Sequence, residues 1–163
     1  MEALLYTLVL GVGATLATDV WGFVRKRLLG VPAPDFALVG RWVGHMRQGR
    51  FFHAAITKAP VVRGERLLGW SVHYATGIAF AALLLLLGGE SWREEPTLGL
   101  SLAVGVATVA APFFIMHPGM GAGFAASRTP RPNVARLHSL LTHAVFGLGL
   151  YVSGLIINVF VSL

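Results

Sequence analysis

Four long apolar runs divide this chain, and its charged residues are gathered into the loops between them. The runs cover approximately Ala3–Val24, Leu67–Gly88, Thr97–Met116 and Leu140–Leu163. Each is long enough to cross a hydrocarbon core of about 30 Å, which takes roughly 20 helical residues. Backbone polar groups in hydrocarbon must be satisfied within the chain, so the runs are expected to be helices. The pattern predicts an all-α integral membrane protein with a single transmembrane domain over residues 1–163. The loop 25–66 is too long to be a bare turn. Within it, "PAPDFALVGRWVGHMRQGRFF" sets Phe36, Val39, Val43 and Met46 at helical spacing after Pro34, with Asp35 where a helix dipole favours a carboxylate. This reads as an amphipathic surface helix on the inner leaflet, its basic side chains turned toward anionic headgroups.

Composition supports the membrane class. The chain is 55% hydrophobic and 12% charged, against about 25% charged in soluble domains. A net charge of +6 would suggest nucleic acid in a soluble protein. Here the positive residues lie in loops, where they set orientation, and no nucleic-acid partner is implied. Of thirteen Lys and Arg, nine lie between Arg25 and Arg66, and Arg128, Arg131 and Arg136 lie in the last loop. Arg93 alone lies on the other side, beside Glu90, Glu94 and Glu95. The positive-inside rule then puts both termini outside. The first run is not a cleavable signal, because Glu2 precedes it and Arg25-Lys26-Arg27 follow it. With no cysteine, disulfides and thiolate metal sites are excluded.

The spans echo one another. "GATLATDVWGF" from Gly13 resembles "VATVAAPFFI" from Val106, aligning Thr15 with Thr108 and Asp19 with Pro112. "VHYATGIAF" resembles "THAVFGLGL", aligning His73-x3-Gly77 with His143-x3-Gly147. Two helix pairs of the same orientation imply a pseudo-two-fold axis along the membrane normal.

The candidate chemistry sits near the basic ends of the spans. Asp19, His73 and His143 are ionisable residues inside apolar runs, where such residues usually face the bundle interior and mark function. The competing reading is structural: a histidine can satisfy a backbone carbonyl, and Gly77 and Gly147 can serve helix packing. His117 and His138 are nearer water, and His45 and His53 read as solvated or headgroup-facing. Facing each other, His73 and His143 would ligate a haem iron or a metal. "MHPGMGAG" groups Met116, His117 and Met120, a set that suits copper(I), although its proline and glycines mark a sharp turn. The amides of that turn, beside Arg128 and Arg131, offer an anion site. Pro112 is expected to kink span 3 and free a carbonyl. No zinc-protease, nucleotide-binding or paired-carboxylate pattern is present.

The strings "GRW-x-GH", "GW-x2-HY" and "PGMGAG-x-AASRTP", together with "LTHAVFGLGLY", resemble a family of small bacterial inner-membrane proteins catalogued as a domain of unknown function. The resemblance runs nearly end to end. It implies a bacterial source and the inner membrane, and it implies no reaction.

Four readings of function follow. The favoured one is a binding or transport protein for a small anionic ligand, with a pocket open to the cytoplasm lined by Asp19, His73 and His143. Arg128 or Arg41 would attract the ligand, and a homodimer would complete the path. A haem or metal protein ligated by His73 and His143 is the second. A lipid- or headgroup-modifying enzyme using Asp19 with a histidine is the third. The fourth is an accessory subunit whose polar residues only pin helices together.

Overall fold

A computed structural model of the chain describes residues 3–161. It is all-helical, with no strand among the described residues. The helices are α1 (Ala3–Leu29), α2 (Phe36–Met46), α3 (Glu65–Glu94), α4 (Leu98–Ala107), α5 (His117–Met120) and α6 (Pro132–Val161). Single 3₁₀ turns occur at Ile56–Lys58 and Phe124–Ala126, and a π-helical turn at Pro112–Met116. Four stretches are long and apolar enough to cross a membrane: Ala3–Leu29, Glu65–Glu94, Leu98–Met120 and Pro132–Phe160. The chain is a multi-pass membrane protein. Much of its apolar surface is uncovered, Leu86 being 82% exposed, as a hydrocarbon solvent allows.

Local chemistry explains the helix boundaries. The helix expected after Pro34 forms, and the Asp35 carboxylate caps it by accepting from the Ala37 N–H at 3.0 Å. Span 2 was expected to stop at Gly88; Gly89 has φ +62, so regular helix breaks there, and a last helical turn follows. α6 begins eight residues before the expected Leu140, at Pro132, whose fixed φ suits a first helical position. The last two residues of the expected fourth run, Ser162 and Leu163, and Glu2 of the expected first flank lie outside the described residues.

Two compact units are present. The first holds the chain up to Ala33, Tyr74–Thr108 and the chain from Leu140; the second holds Pro34–His73 and Val109–Ser139. The core of the first unit is built from Tyr6, Leu10, Ala14, Ala81, Leu84, Trp92, Val104, Phe146, Leu150 and Ile157. Glycines bring its helices together: a Cβ at Gly105 would lie 2.5 Å from Gly147 Cα, and one at Gly149 would lie 2.9 Å from Ala14 Cα. At one end, Asn158 Nδ2 donates to the carbonyls of Arg93 (2.7 Å) and Glu94 (3.1 Å), and the Arg93 guanidinium lies 5.1 Å from the Tyr6 ring centroid.

In the second unit, α2 packs against the first turns of α3. Any side chain at Gly40 would collide with the Glu65 carbonyl, and any at Gly69 with that of Phe36. Gly44 meets Val62, while Trp42 packs on Gly119 and donates to Phe51 O at 2.8 Å. The buried residues of α2 are therefore Gly40, Trp42, Gly44 and His45 rather than the apolar set Phe36, Val39, Val43 and Met46. Glycines four apart make a smooth stripe that another backbone can approach, and a hydrophobicity pattern does not register it.

Candidate functional site

Span 3 is where regular structure fails inside an apolar run. α4 ends at Ala107, and Pro112, which has no N–H, opens a π-helical turn. Thr108 caps the break. Its hydroxyl donates to Gly105 O at 2.6 Å, and His143 Nδ1 from α6 lies 2.9 Å from the same hydroxyl oxygen and 3.2 Å from Gly105 O. The threonine proton is committed to Gly105, so Thr108 Oγ1 can only accept from the imidazole. Gly105 O is likewise an acceptor. Nδ1 of His143 therefore carries a proton, and Nε2 is the nitrogen whose chemistry is open: proton acceptor when neutral, donor when charged.

The Gly105–Gly147 approach makes this geometry. It brings α4 and α6 close enough that a Cβ at Gly105 would lie 2.7 Å from His143 O. The glycine one turn beyond each histidine is thus filled by a neighbouring helix. Gly147 faces the Ser101 carbonyl, and Gly77 faces the Thr15 hydroxyl. Neither opens a slot for a flat ligand.

Asp19 Oδ2 accepts from Tyr74 Oη at 2.8 Å, a cross-helix bond between spans 1 and 2 that sequence reading did not anticipate. Upstream on α1, the hydroxyls of Thr15 and Thr18 each donate to carbonyls of their own helix. His73, next to Tyr74, stacks on Phe36 at 4.1 Å between ring centroids, with the Trp70 ring edge-on at 5.7 Å. Of the two aligned histidines, His73 thus has aromatic rings beside it and His143 a hydroxyl and a carbonyl.

The remaining expected residues fall elsewhere. Arg41, expected to attract an anionic ligand, is already paired: its Nε and Nη2 meet the Glu65 carboxylate at 2.9 and 2.8 Å, and Nη1 reaches Ile56 O and Ala59 O. The hydrogen bonds to the Glu65 carboxylate raise the Arg41 pKa above its ordinary value, and together with the two carbonyls they leave the guanidinium no free edge for a ligand. Arg128 is exposed. The amides expected to bind an anion beside it are spent internally: those of Ala126, Ser127, Arg128 and Thr129 donate to Gly123, Phe124, Ala122 and Ala126 carbonyls. Ala125 and Ala126 both hold positive φ, an unusual conformation for residues with a Cβ. Met116 closes the π-helical turn, Met120 closes α5, and His117 Nδ1 is buried without a hydrogen-bond partner. Among the described residues no group of three or more His, Asp or Glu is placed to hold a metal ion.

His45 and His53 were expected to be solvated or to face headgroups. Instead His45 is 3% exposed, and its Nδ1 lies 2.8 Å from His53 Nε2, while His53 Nδ1 reaches Gly119 O at 3.3 Å. The carbonyl fixes a proton on His53 Nδ1, so His53 Nε2 accepts from His45 Nδ1–H. The signal in the sequence was the Gly40-x3-Gly44 spacing just before His45, which marks a packed helix face.

A groove of about 730 Å³ is lined by Glu94, Glu95, Pro96, Thr97, Leu155, Asn158 and Val159. Asn158 is fifteen residues along α6 from His143, about 22 Å at helical rise. This groove is not the pocket expected around the histidines.

The family model described as "Protein of unknown function (DUF2938)" matches residues 8–157. No curated protein and no solved structure matches the chain.

Proposed function

The chain belongs to the DUF2938 family, and we propose that it binds or transports a small ligand at the C-terminal end of α4, with His143 as the ligand-facing ionisable group. One observation carries this reading: an imidazole inside an apolar span, held in one tautomer by Thr108 and Gly105 where regular helix stops. Irregular turns inside apolar helices occur frequently at functional sites. When charged, Nε2 of His143 is a cationic donor, which suits an anion. The orientation that goes with this reading puts the basic loops in the cytoplasm of a bacterial inner membrane and both termini in the periplasm. It rests on the loop distribution of basic residues. A parallel repeat is supported by Gly77 packing on span 1 and its aligned Gly147 on span 3. A homodimer would complete a path that four spans leave short.

The test is thermal unfolding of the detergent-purified protein with inorganic anions, carboxylates, phosphate esters and amines. At least one compound should stabilise the wild type and lose about tenfold in affinity in His143→Gln, the cost of one charge-assisted hydrogen bond. A panel that leaves the wild type unmoved, or stabilises His143→Gln equally, would sink the reading.

A further inference from the structure

Two donors at the basic end of α1 lack acceptors. Arg25 is 6% exposed, yet its one hydrogen bond is a long one, from Nη2 to Pro32 O at 3.4 Å. Its Nε–H is buried with no partner, and so is the indole Nε1–H of Trp21. Among the described residues no carboxylate pairs with Arg25, whereas Arg41 has Glu65 and Arg93 has Glu90. Trp21 and Arg25 are one turn apart on the same helix face. Both groups donate and neither can accept. Native structures rarely leave such groups unmet, and a buried guanidinium without a counter-charge is among the most expensive.

The burial is built by the chain itself. Gly30, at φ +64, lets the backbone reverse after α1. The returning segment then lies beside the helix, Ala33 Cβ being 3.9 Å from where a Gly22 side chain would start. The exposed Lys26 and Arg27 flank Arg25, so the surrounding field is positive. That field matters, because the carbonyl end of a helix repels anions and something must outweigh it.

We infer that Trp21 and Arg25 form a binding site for a phosphate oxyanion, held between the guanidinium Nε–H and the indole N–H. Several acceptor oxygens on one centre can serve two donors a helical turn apart, which a single-atom anion does not. Arg is also the side chain whose planar edge best matches phosphate. The phosphate comes either from a phospholipid headgroup at the end of span 1 or from a soluble phosphate. The site holds whether or not His143 binds a ligand, since it shares no residue with that arrangement.

Delipidated full-length protein in detergent would be titrated with phosphatidylglycerol and, separately, with inorganic phosphate, reading native mass spectra and thermal unfolding. Saturable binding of one of them is expected, weakened about tenfold or more in Arg25→Gln and several-fold in Trp21→Phe. The exposed control Arg27→Gln should change little. Binding of phosphatidylglycerol alone identifies a lipid site, and binding of inorganic phosphate identifies a soluble one. Trp21→Phe removes the indole N–H and keeps an aromatic side chain, so it tests the site even if Arg25→Gln fails to fold. Absence of saturable binding to either probe overturns the proposal, as does unchanged affinity in Trp21→Phe. So does an Arg25→Gln protein that is more stable than wild type and binds as well, since the orphan donors would then be a bare cost.

Discussion

In the first unit the closest approaches join regular helices through small residues, as where Gly105 meets Gly147, and the core behind them is apolar. In the second unit the contact of α2 with α3 is tighter, carbonyl against glycine at both Gly40 and Gly69. It is clamped by the Arg41–Glu65 pair, whose side chains are 12% and 13% exposed. Glu65 Oε2 also accepts from Val62 N–H at 3.0 Å, tying the preceding turn to the same carboxylate. The contrast is one of bonding: α4 and α6 are joined by small-residue packing and by His143 bonding to the Thr108 hydroxyl and the Gly105 carbonyl. The contact of α2 with α3 is clamped by charge-assisted bonds, which are roughly twice as strong as neutral ones and leave a misfit less room to slide.

Steric substitutions test that contrast most severely. Gly69→Ala drives a methyl into the Phe36 carbonyl inside a contact pinned by Glu65. It should cost at least about 3 kcal/mol, the upper range for overpacking, read as a lower unfolding midpoint in a fixed detergent. Glu65→Gln keeps the shape and removes the charge, leaving the Arg41 guanidinium poorly matched. A loss of about 2 kcal/mol is expected, in the range of hydrogen bonds to charged groups; under about 0.5 kcal/mol, the level of an ordinary surface change, would mean the clamp does not hold α2. Smaller effects belong to the first unit. Gly105→Ala should cost about 1–2 kcal/mol as α4 and α6 shift apart. Gly99→Ala, with nothing within 4 Å, should stay within about 0.5 kcal/mol of wild type. If Gly105→Ala proves as damaging as Gly69→Ala, the distinction between a sliding and a fixed contact is wrong.

The same contrast separates what was legible in the residues from what was not. The α2 helix was read from the spacing of Phe36, Val39, Val43 and Met46 and from Asp35, and it forms with Asp35 as its cap. Its packed face was not legible, because Gly40 and Gly44 carry no hydrophobic signal. Arg41 read as a ligand-attracting charge; the structure gives it Glu65, twenty-four residues away. His143 was legible as an ionisable residue in a span, but its partners Thr108 and Gly105 depend on how α6 is rotated against α4. Arg25 was read as one of three orientation charges, and only the fold-back at Gly30 distinguishes it from Lys26 and Arg27.

By itself the sequence determined the all-helical class, the four apolar spans, the helix after Pro34 and the end of regular helix near Gly88. Those features follow from local quantities: bilayer thickness, helical period, the missing N–H of proline and the open φ of glycine. Only the tertiary structure decided which polar groups meet. It paired Asp19 with Tyr74, His45 with His53 and Arg41 with Glu65, and it left Trp21 and Arg25 with donors unmet. Each of those outcomes depends on the rotation of a helix about its axis and on residues distant in the chain, which no local pattern encodes.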